Sequence, residues 1–357
     1  ITPEFQAILA SSIQNRASDI HVKVGKPPIL RIDGVLRELD LPPLDVETVS
    51  TNLSALCLSA GHEPLPADRW QMDFSFHLRG TGRFRCHLFR QRGTWAGMLR
   101  VIPETIPTYE ELRLPAVVKT LNDIDRGIIL ITGATGMGKS TTSASVLAEL
   151  AREKSVHILT IEDPIEFLIP DDRSSVSQRN VGIDVPDYDM ALEAAFREDP
   201  DILFIDELRS EKAVEVTLHA GESGHLCLTT IHTSDVQSTV SRIGSMVPDD
   251  FRRNVLGRLA DSLKAVISQR LIPMAGRPGR ILAAEVMVTT PSIREAIRDP
   301  SKHKTIPSLI SRESSGSHCQ TFDQHLLVLV RNKLITVDTA KAAASSPSDL
   351  VRSLRLG

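Results

Sequence analysis

The nine residues Gly133-Ala134-Thr135-Gly136-Met137-Gly138-Lys139-Ser140-Thr141 constrain this chain more than any other stretch. They fit G-x-x-x-x-G-K-[ST], and their flanks suit the pattern. Ile128 to Ile131 read as a short buried strand, and Ser140 to Arg152, with Val146, Leu147 and Leu150 apolar, reads as a helix. Gly133, Gly136 and Gly138 let the backbone turn tightly with its N–H groups pointing inward. The helix N-terminus adds a partial positive charge. Lys139 can then reach the β- and γ-phosphates of a nucleotide, and the Ser140 hydroxyl can ligate Mg²⁺. ATP and Mg²⁺ are the expected cofactors, held along Gly133–Thr141.

A loop of this kind needs a sheet behind it, and the chain after about residue 116 supplies one. Strand candidates are 156–161, 202–205, 226–231 and 265–268, with helix candidates at 190–196, 212–219 and 251–260 between them. Such alternation predicts a parallel sheet with helices on both faces, binding ligand at the carboxyl ends of its strands. Residues 281–288 read as a late strand. After Pro291 the chain reads as mostly helical, with helices at 326–330 and 334–344, a polar flexible stretch at 311–317 between elements, and a tail ending at 350–356.

Residues 1 to about 102 read as a smaller α/β domain: a helix around Phe5–Ile13, strands at 19–24 and 29–32 before an Asp33-Gly34 turn, a helix at 46–58, and strands at 74–78 and 84–88. From Phe74 to Pro103 there is no Asp or Glu, but there are six arginines: Arg79, Arg83, Arg85, Arg90, Arg92 and Arg100. Arginine suits bidentate phosphate contact, so the run reads either as an anion-facing surface or as a solvated basic face. Pro103, Pro107 and Pro115 mark a linker, 103–115, with a short helix near Glu110 and a hinge between domains.

Composition excludes other classes. The 357 residues suffice for two domains, and the net charge of −4 gives no nucleic-acid footprint. The four cysteines, Cys57, Cys86, Cys227 and Cys319, lie far apart, forming neither a zinc pattern nor a disulfide framework, as expected in a reducing compartment. No apolar run is long enough for a membrane span, and no secretory signal is expected. The first residue is Ile1 rather than Met, so a few native residues are expected to precede it.

Three further clusters carry chemistry. Asp201-Ile202-Leu203-Phe204-Ile205-Asp206-Glu207 is an apolar strand ending in two acids, one of which would hold Mg²⁺. Thr160-Ile161-Glu162-Asp163-Pro164-Ile165-Glu166 also follows a strand, and Glu162 or Glu166 would orient the attacking water. Gly221 to Thr233 places His225 and His232 at either end of a strand. A histidine at the carboxyl end can donate to a γ-phosphate, although a lone histidine is more often structural.

These clusters together resemble the Walker A, Asp, Walker B and His boxes of secretion and type IV pilus motor ATPases. Ala17-Ser18-Asp19-Ile20-His21, Pro27–Gly34 and Gly82-Arg83-Phe84-Arg85 resemble the same family's PAS-like N-terminal domain. No tetracysteine insertion is present, and the chain looks like the PilT/PilU pilus-retraction group. The segments 224–228, 320–324 and 348–350 look most like PilU. The resemblance implies a RecA-like core at 116–290, a PAS-like domain at 1–102 and a helical region at 291–357. It implies Glu166 as catalytic base, Glu207 as the Walker B glutamate, His232 as the His-box residue, and Arg85 and Arg100 reaching the nucleotide. Asp206 stands where the family has Gly, leaving open whether Asp206 or Glu207 is the main metal acid. Ser210 stands where Asp is usual, and residues 309–315 replace the retraction motif Ala-Ile-Arg-Met-Ser-Glu-Gly. The implied protein is a cytoplasmic ring ATPase, a hexamer, driving pilus retraction and twitching motility. It would sit at the inner membrane through a pilus platform protein, with a PilT paralogue as a further partner and no direct nucleic acid. A secretion or conjugation traffic ATPase, an accessory ring subunit and a RecA-like helicase are the alternatives.

Overall fold

The computed structural model describes residues 1–32, 34–102, 105–313 and 319–356. Asp33 of the expected turn, Pro103 of the expected linker and 314–317 of the polar stretch lie outside them. The chain divides into two compact units, 1–105 with 164–168, and 106–163 with 169–357.

The first unit orders α1 (Pro3–Gln14), β1 (Asp19–Lys23), β2 (Ile29–Ile32), β3 (Val35–Glu38), α2 (Val46–Ser59), β4 (Gln71–Leu78), β5 (Gly82–Gln91) and β6 (Thr94–Ile102). Its sheet is antiparallel throughout, in the order β3-β2-β1-β6-β5-β4. Alternation along β4 and β5 sends Phe74, Phe76, Phe84, Cys86 and Leu88 into a core shared with Leu9, Leu53 and Leu56 of the helices. β6 escapes the sequence reading because Ala96 and Gly97 interrupt its apolar pattern. A Cβ at Gly97 would lie 3.0 Å from Leu88 and 3.1 Å from Leu53, so these buried leucines would have to shift to admit one.

The second unit begins with α3 (Tyr109–Leu112), the short helix expected near Glu110, then α4 (Val117–Thr120). β7 (Gly127–Thr132), α5 (Lys139–Glu153), β8 (His157–Glu162), β9 (Ser175–Asn180), α6 (Tyr188–Ala194), β10 (Ile202–Ile205), α7 (Glu211–Glu222) and β11 (Leu226–Ile231) follow. Then come α8 (Val236–Ser245), α9 (Asp249–Ser262), β12 (Leu263–Pro273) and β13 (Arg280–Val288). The C-terminal helices are α10 (Pro291–Arg298), α11 (Ile306–Arg312), α12 (Phe322–Arg331), α13 (Val337–Ala343) and α14 (Pro347–Leu356).

The sheet order is β13-β12-β7-β11-β10-β8-β9, parallel except for the β12–β13 pair. Its central strands are buried on both sides, as continuous apolar runs require. Ile128 and Leu130 of β7 face α7 to α10, while Ile129 and Ile131 face Val146, Leu147 and Leu150 of α5. β9, the polar edge strand Ser-Val-Ser-Gln-Arg-Asn, carries no apolar alternation and is not legible in sequence. α8 is also missed, although Val236, Thr239, Val240 and Ile243 form its buried stripe. α12 packs on the β12–β13 hairpin through Phe322, Leu326 and Leu329, and Ala340 of α13 and Leu350 of α14 join the same core. Leu334 lies outside α13, which is shorter than the expected helix at 334–344.

Close packing behind the glycine loop sets a local limit. A Cβ on Gly221 of α7 would lie 2.7 Å from Ile128 of β7, whereas one on Gly257 of α9 meets nothing within 4 Å. Gly221→Ala is expected to destabilise the fold by about 1–3 kcal/mol through overpacking. Gly257→Ala should stabilise it by up to about 1 kcal/mol, the helix-propensity difference. Urea unfolding of both variants checks this, and shifts of the same sign would contradict it.

His325 of α12 gives the fold a pH term. Its Nδ1 accepts the Ala284 N–H at 2.9 Å, and burial pulls its pKa from 6.5 down to about 4. The unfolded chain therefore binds more protons between those values, and this contribution is present above pH 6.5 and lost as pH falls toward 4. The loss amounts to roughly 3 kcal/mol at most. His325→Gln keeps an acceptor without titrating, so its unfolding free energy should fall less than wild type's between pH 6.5 and 4; parallel curves would refute the assignment.

Candidate functional site

The glycine loop spans β7 and α5 as expected. Gly133 has φ +155°, and a Cβ there would stand 2.9 Å from the Gln269 carbonyl, so no other residue fits. Gly138, at φ +87°, is the N-cap of α5, and no side chain caps that helix. The first N–H groups of a 15-residue helix are thus available to an anion. The Ser140 hydroxyl has no hydrogen-bond partner among the described residues.

Lys139 is buried rather than exposed, at 8%. Its Nζ donates to Gly133 O at 2.9 Å, to Ala134 O at 3.4 Å and to His232 Nδ1 at 3.1 Å. A lysine ammonium only donates, so Nδ1 is the acceptor and Nε2 carries the ring proton. That Nε2 faces Glu207 Oε1 at 3.1 Å. Glu207 Oε2 accepts from Arg209 Nε at 2.9 Å, and Arg209 Nη1 reaches Asp163 Oδ2 at 3.0 Å. The five side chains run in sheet order along the carboxyl ends of β7, β11, β10 and β8. Partial burial lowers the Arg209 pKa, and the hydrogen bond to Glu207 with the two carboxylate charges reverses this, leaving it raised.

Backbone contacts fix the acids. Asp206 N–H bonds Ile161 O at 3.0 Å, and its carbonyl accepts from Thr230 Oγ1. Tyr188 Oη donates to Glu207 O at 3.0 Å. Glu162, the rival to Glu166, is buried, and its Oε1 accepts from Thr160 Oγ1 at 2.6 Å and Gln178 Nε2 at 2.9 Å, joining β8 to β9. Glu166 lies in 164–168, which belongs to the first unit, and is half-buried.

Arg85 and Arg100 also belong to the first unit, directly opposite each other on β5 and β6. Asp19 sits opposite Arg100 on β1, 3.0 Å from its Nε, and also 3.6 Å from Arg31. Arg85 has no carboxylate partner among the described residues. Arg90 lies over Trp70 and Trp95, with its guanidinium 5.7 Å and 5.1 Å from their rings, and that spends it on packing.

Two features escaped the sequence reading. A cleft of about 410 Å³ flanks the loop, lined by Met137, Thr141, Leu271, Met274, Arg277 and Arg280 among others. Arg280 donates to Gly136 O at 3.3 Å, tying the β12–β13 hairpin to the loop. Glu285 of β13 is buried, accepts the Val236 N–H at the start of α8 at 2.8 Å, and is pushed up to about 7 by burial. Only the folding of β13 beside α8 reveals that role.

Residues 106–326 match the family model described as type II/IV secretion system protein. The chain is 38% identical over 342 residues to the type IV pilus retraction ATPase PilT of Pseudomonas aeruginosa, covering 96% of this chain and 98% of that protein. The chain belongs to the type II/IV secretion ATPase family, in its PilT/PilU branch. The type IV pilus ATPase PilU of the same organism is 33% identical, covering 99% of this chain and 92% of that protein. Overall identity is therefore higher to PilT, whereas the expectation that PilU is nearest rests on the short segments 224–228, 320–324 and 348–350. A solved structure of the pilus retraction motor PilT with bound ADP superposes with a TM-score of 0.87 at 40% identity, covering 97% of this chain and 98% of that one. The α/β architecture, with its mostly parallel second sheet, is that of PilT.

Lys139→Met removes the loop's only cation but keeps the buried aliphatic stem. ATP turnover should fall to background with the melting temperature nearly unchanged, measured by phosphate release and thermal scanning; near wild-type turnover would remove the loop from the site.

Proposed function

We propose that the chain is a Mg²⁺-dependent ATPase working as a homo-oligomeric ring, a hexamer, whose hydrolysis drives type IV pilus retraction. The observation carrying this reading is the continuous line Lys139–His232–Glu207 at the carboxyl ends of adjacent parallel strands, beside an uncapped helix N-terminus. Near full-length identity to a protein named for pilus retraction supplies the process.

The residues suit the roles. Gly133–Thr141 cradles the phosphates, and the cleft beside Met137 and Leu271 accommodates the nucleoside. Lys139 brings the loop's positive charge to the β- and γ-phosphates. The Ser140 hydroxyl with Asp206 and Glu207 would hold Mg²⁺, which when bound neutralises charge across the β- and γ-phosphate oxygens. His232 carries its proton on Nε2, where Glu207 accepts it here, and would donate it to a γ-phosphate oxygen on turning away from Glu207. Glu166 accepts the proton of the attacking water. Arg85 and Arg100 add charge to a neighbouring subunit's transition state; Arg85, without a carboxylate partner, is the freer of the two. No described helix is long and apolar enough to cross a membrane. A cytoplasmic ring reaching the inner membrane through a pilus platform protein fits this reading.

A second reading, an accessory ring that depends on a PilT paralogue, draws on residues 309–315, where the retraction motif is absent. Turnover measured with and without that paralogue separates the two.

Glu166→Gln should retain ATP binding and lose roughly 10²-fold or more in turnover, the usual worth of a positioned base. An Arg85→Ala, Arg100→Ala chain should also be slow, and mixing it with the Glu166→Gln chain should restore activity in mixed rings. An active Glu166→Gln with an inactive Glu162→Gln would move the base. Mixed rings, verified by mass, that stay inactive would place the arginines in cis.

A further inference from the structure

We propose that Arg209 is a positioning residue for hydrolysis, a clamp that sets the Glu207 carboxylate at the end of β10 by tying it to Asp163 at the end of β8. This rests on the ATPase reading above. Arg209 presents two different nitrogens to two different carboxylates, Nε to Glu207 at 2.9 Å and Nη1 to Asp163 at 3.0 Å. Its planar fork makes that bridge possible, and a lysine's point charge would not reproduce it. With Oε2 taken by Arg209, Glu207 has Oε1 left for His232, at 3.1 Å. The clamp therefore holds the carboxylate plane with its second oxygen toward the histidine.

The burial pattern favours a positioning role over a structural one. Arg209 is 48% exposed and Asp163 44%, so their ion pair contributes little to stability. Glu207 is the sheltered member, at 19%, and its backbone is already pinned by Tyr188. What Arg209 fixes is thus the rotamer of one side chain beside the phosphate loop. Asp163 also immediately precedes 164–168, the segment carrying Glu166. A single guanidinium thus joins the residues that follow β10 to those that follow β8.

The test compares full-length wild type, Arg209→Ala, Arg209→Lys, Asp163→Asn and the Arg209→Ala, Asp163→Asn pair in assembled rings. Arg209→Ala should lower kcat by about 10–100-fold, the usual cost of losing a group that orients a ligand. KM for ATP should stay within about twofold and the ring's mass and melting temperature should be unchanged. Arg209→Lys should be nearly as slow as Arg209→Ala, and the double variant no slower than the worse single one. A wild-type kcat in Arg209→Ala, full activity in Arg209→Lys, or multiplying losses in the double variant would each overturn the clamp. A second readout does not depend on turnover: in histidine-labelled protein, Arg209→Ala should shift the His232 ring nitrogen resonances, and an unchanged ring would overturn the clamp. Absence of wild-type turnover would sink the ATPase reading and with it the role in hydrolysis, while the resonance shift would still report whether Arg209 sets Glu207 against His232.

Discussion

The bond from Lys139 to His232 is where the site closes on itself. It joins the loop after β7 to the end of β11, two neighbouring parallel strands. Parallel strands all deliver their following residues to the same edge of a sheet, so four consecutive neighbours set a lysine, a histidine, a glutamate and an aspartate in a row. Lys139, His232, Glu207, Arg209 and Asp163 alternate as donor and acceptor along that row, which matters for Lys139 because an unpaired buried ammonium is costly. The rest of the unit serves to hold those strand ends still. Apolar residues alternate on β7 between two cores, one against α5 and one against α7 to α10, so the strand cannot slip without exposing a face.

The two acidic boxes differ in how they are held. Glu162 is locked between Thr160 and Gln178, while Glu207 is open on one side to His232 and Arg209. The same residue type at the carboxyl end of a strand is thus bonded within β8 and β9 in one place and joined to a histidine and an arginine in the other. The partners decide this, and the partners come from other strands. The substitution of Asp206 for the family's glycine adds a second carboxylate at the end of β10, where backbone bonds to Ile161 and Thr230 fix its main chain.

The arginine-rich strands of the first unit show how composition misleads when read alone. Six basic side chains without an acid looked uniform. In the sheet they separate: Arg90 lies over two tryptophans, Arg100 is neutralised by Asp19, and Arg85 keeps its charge unshared. Asp19 is 81 positions from Arg100 and outside the acid-free run, so only strand pairing could bring it there.

The sequence by itself determined the second unit's class, its phosphate loop, the strand ends carrying Asp206, Glu207 and His232, and the family. These are local signals: glycine spacing, apolar runs ending in acids, and their order along the chain. Polar or interrupted elements stayed hidden, as with β9 and β6, because periodicity needs apolar residues to be visible. Tertiary structure alone decided that Lys139 is buried, that Glu162 bonds Gln178 of β9, that Glu285 holds the start of α8, and that Arg209 reaches Asp163, 46 positions away. Hydrogen bonds of a buried polar group are satisfied by whatever the fold brings within about 3 Å, and that distance is set by strand order rather than by position along the chain.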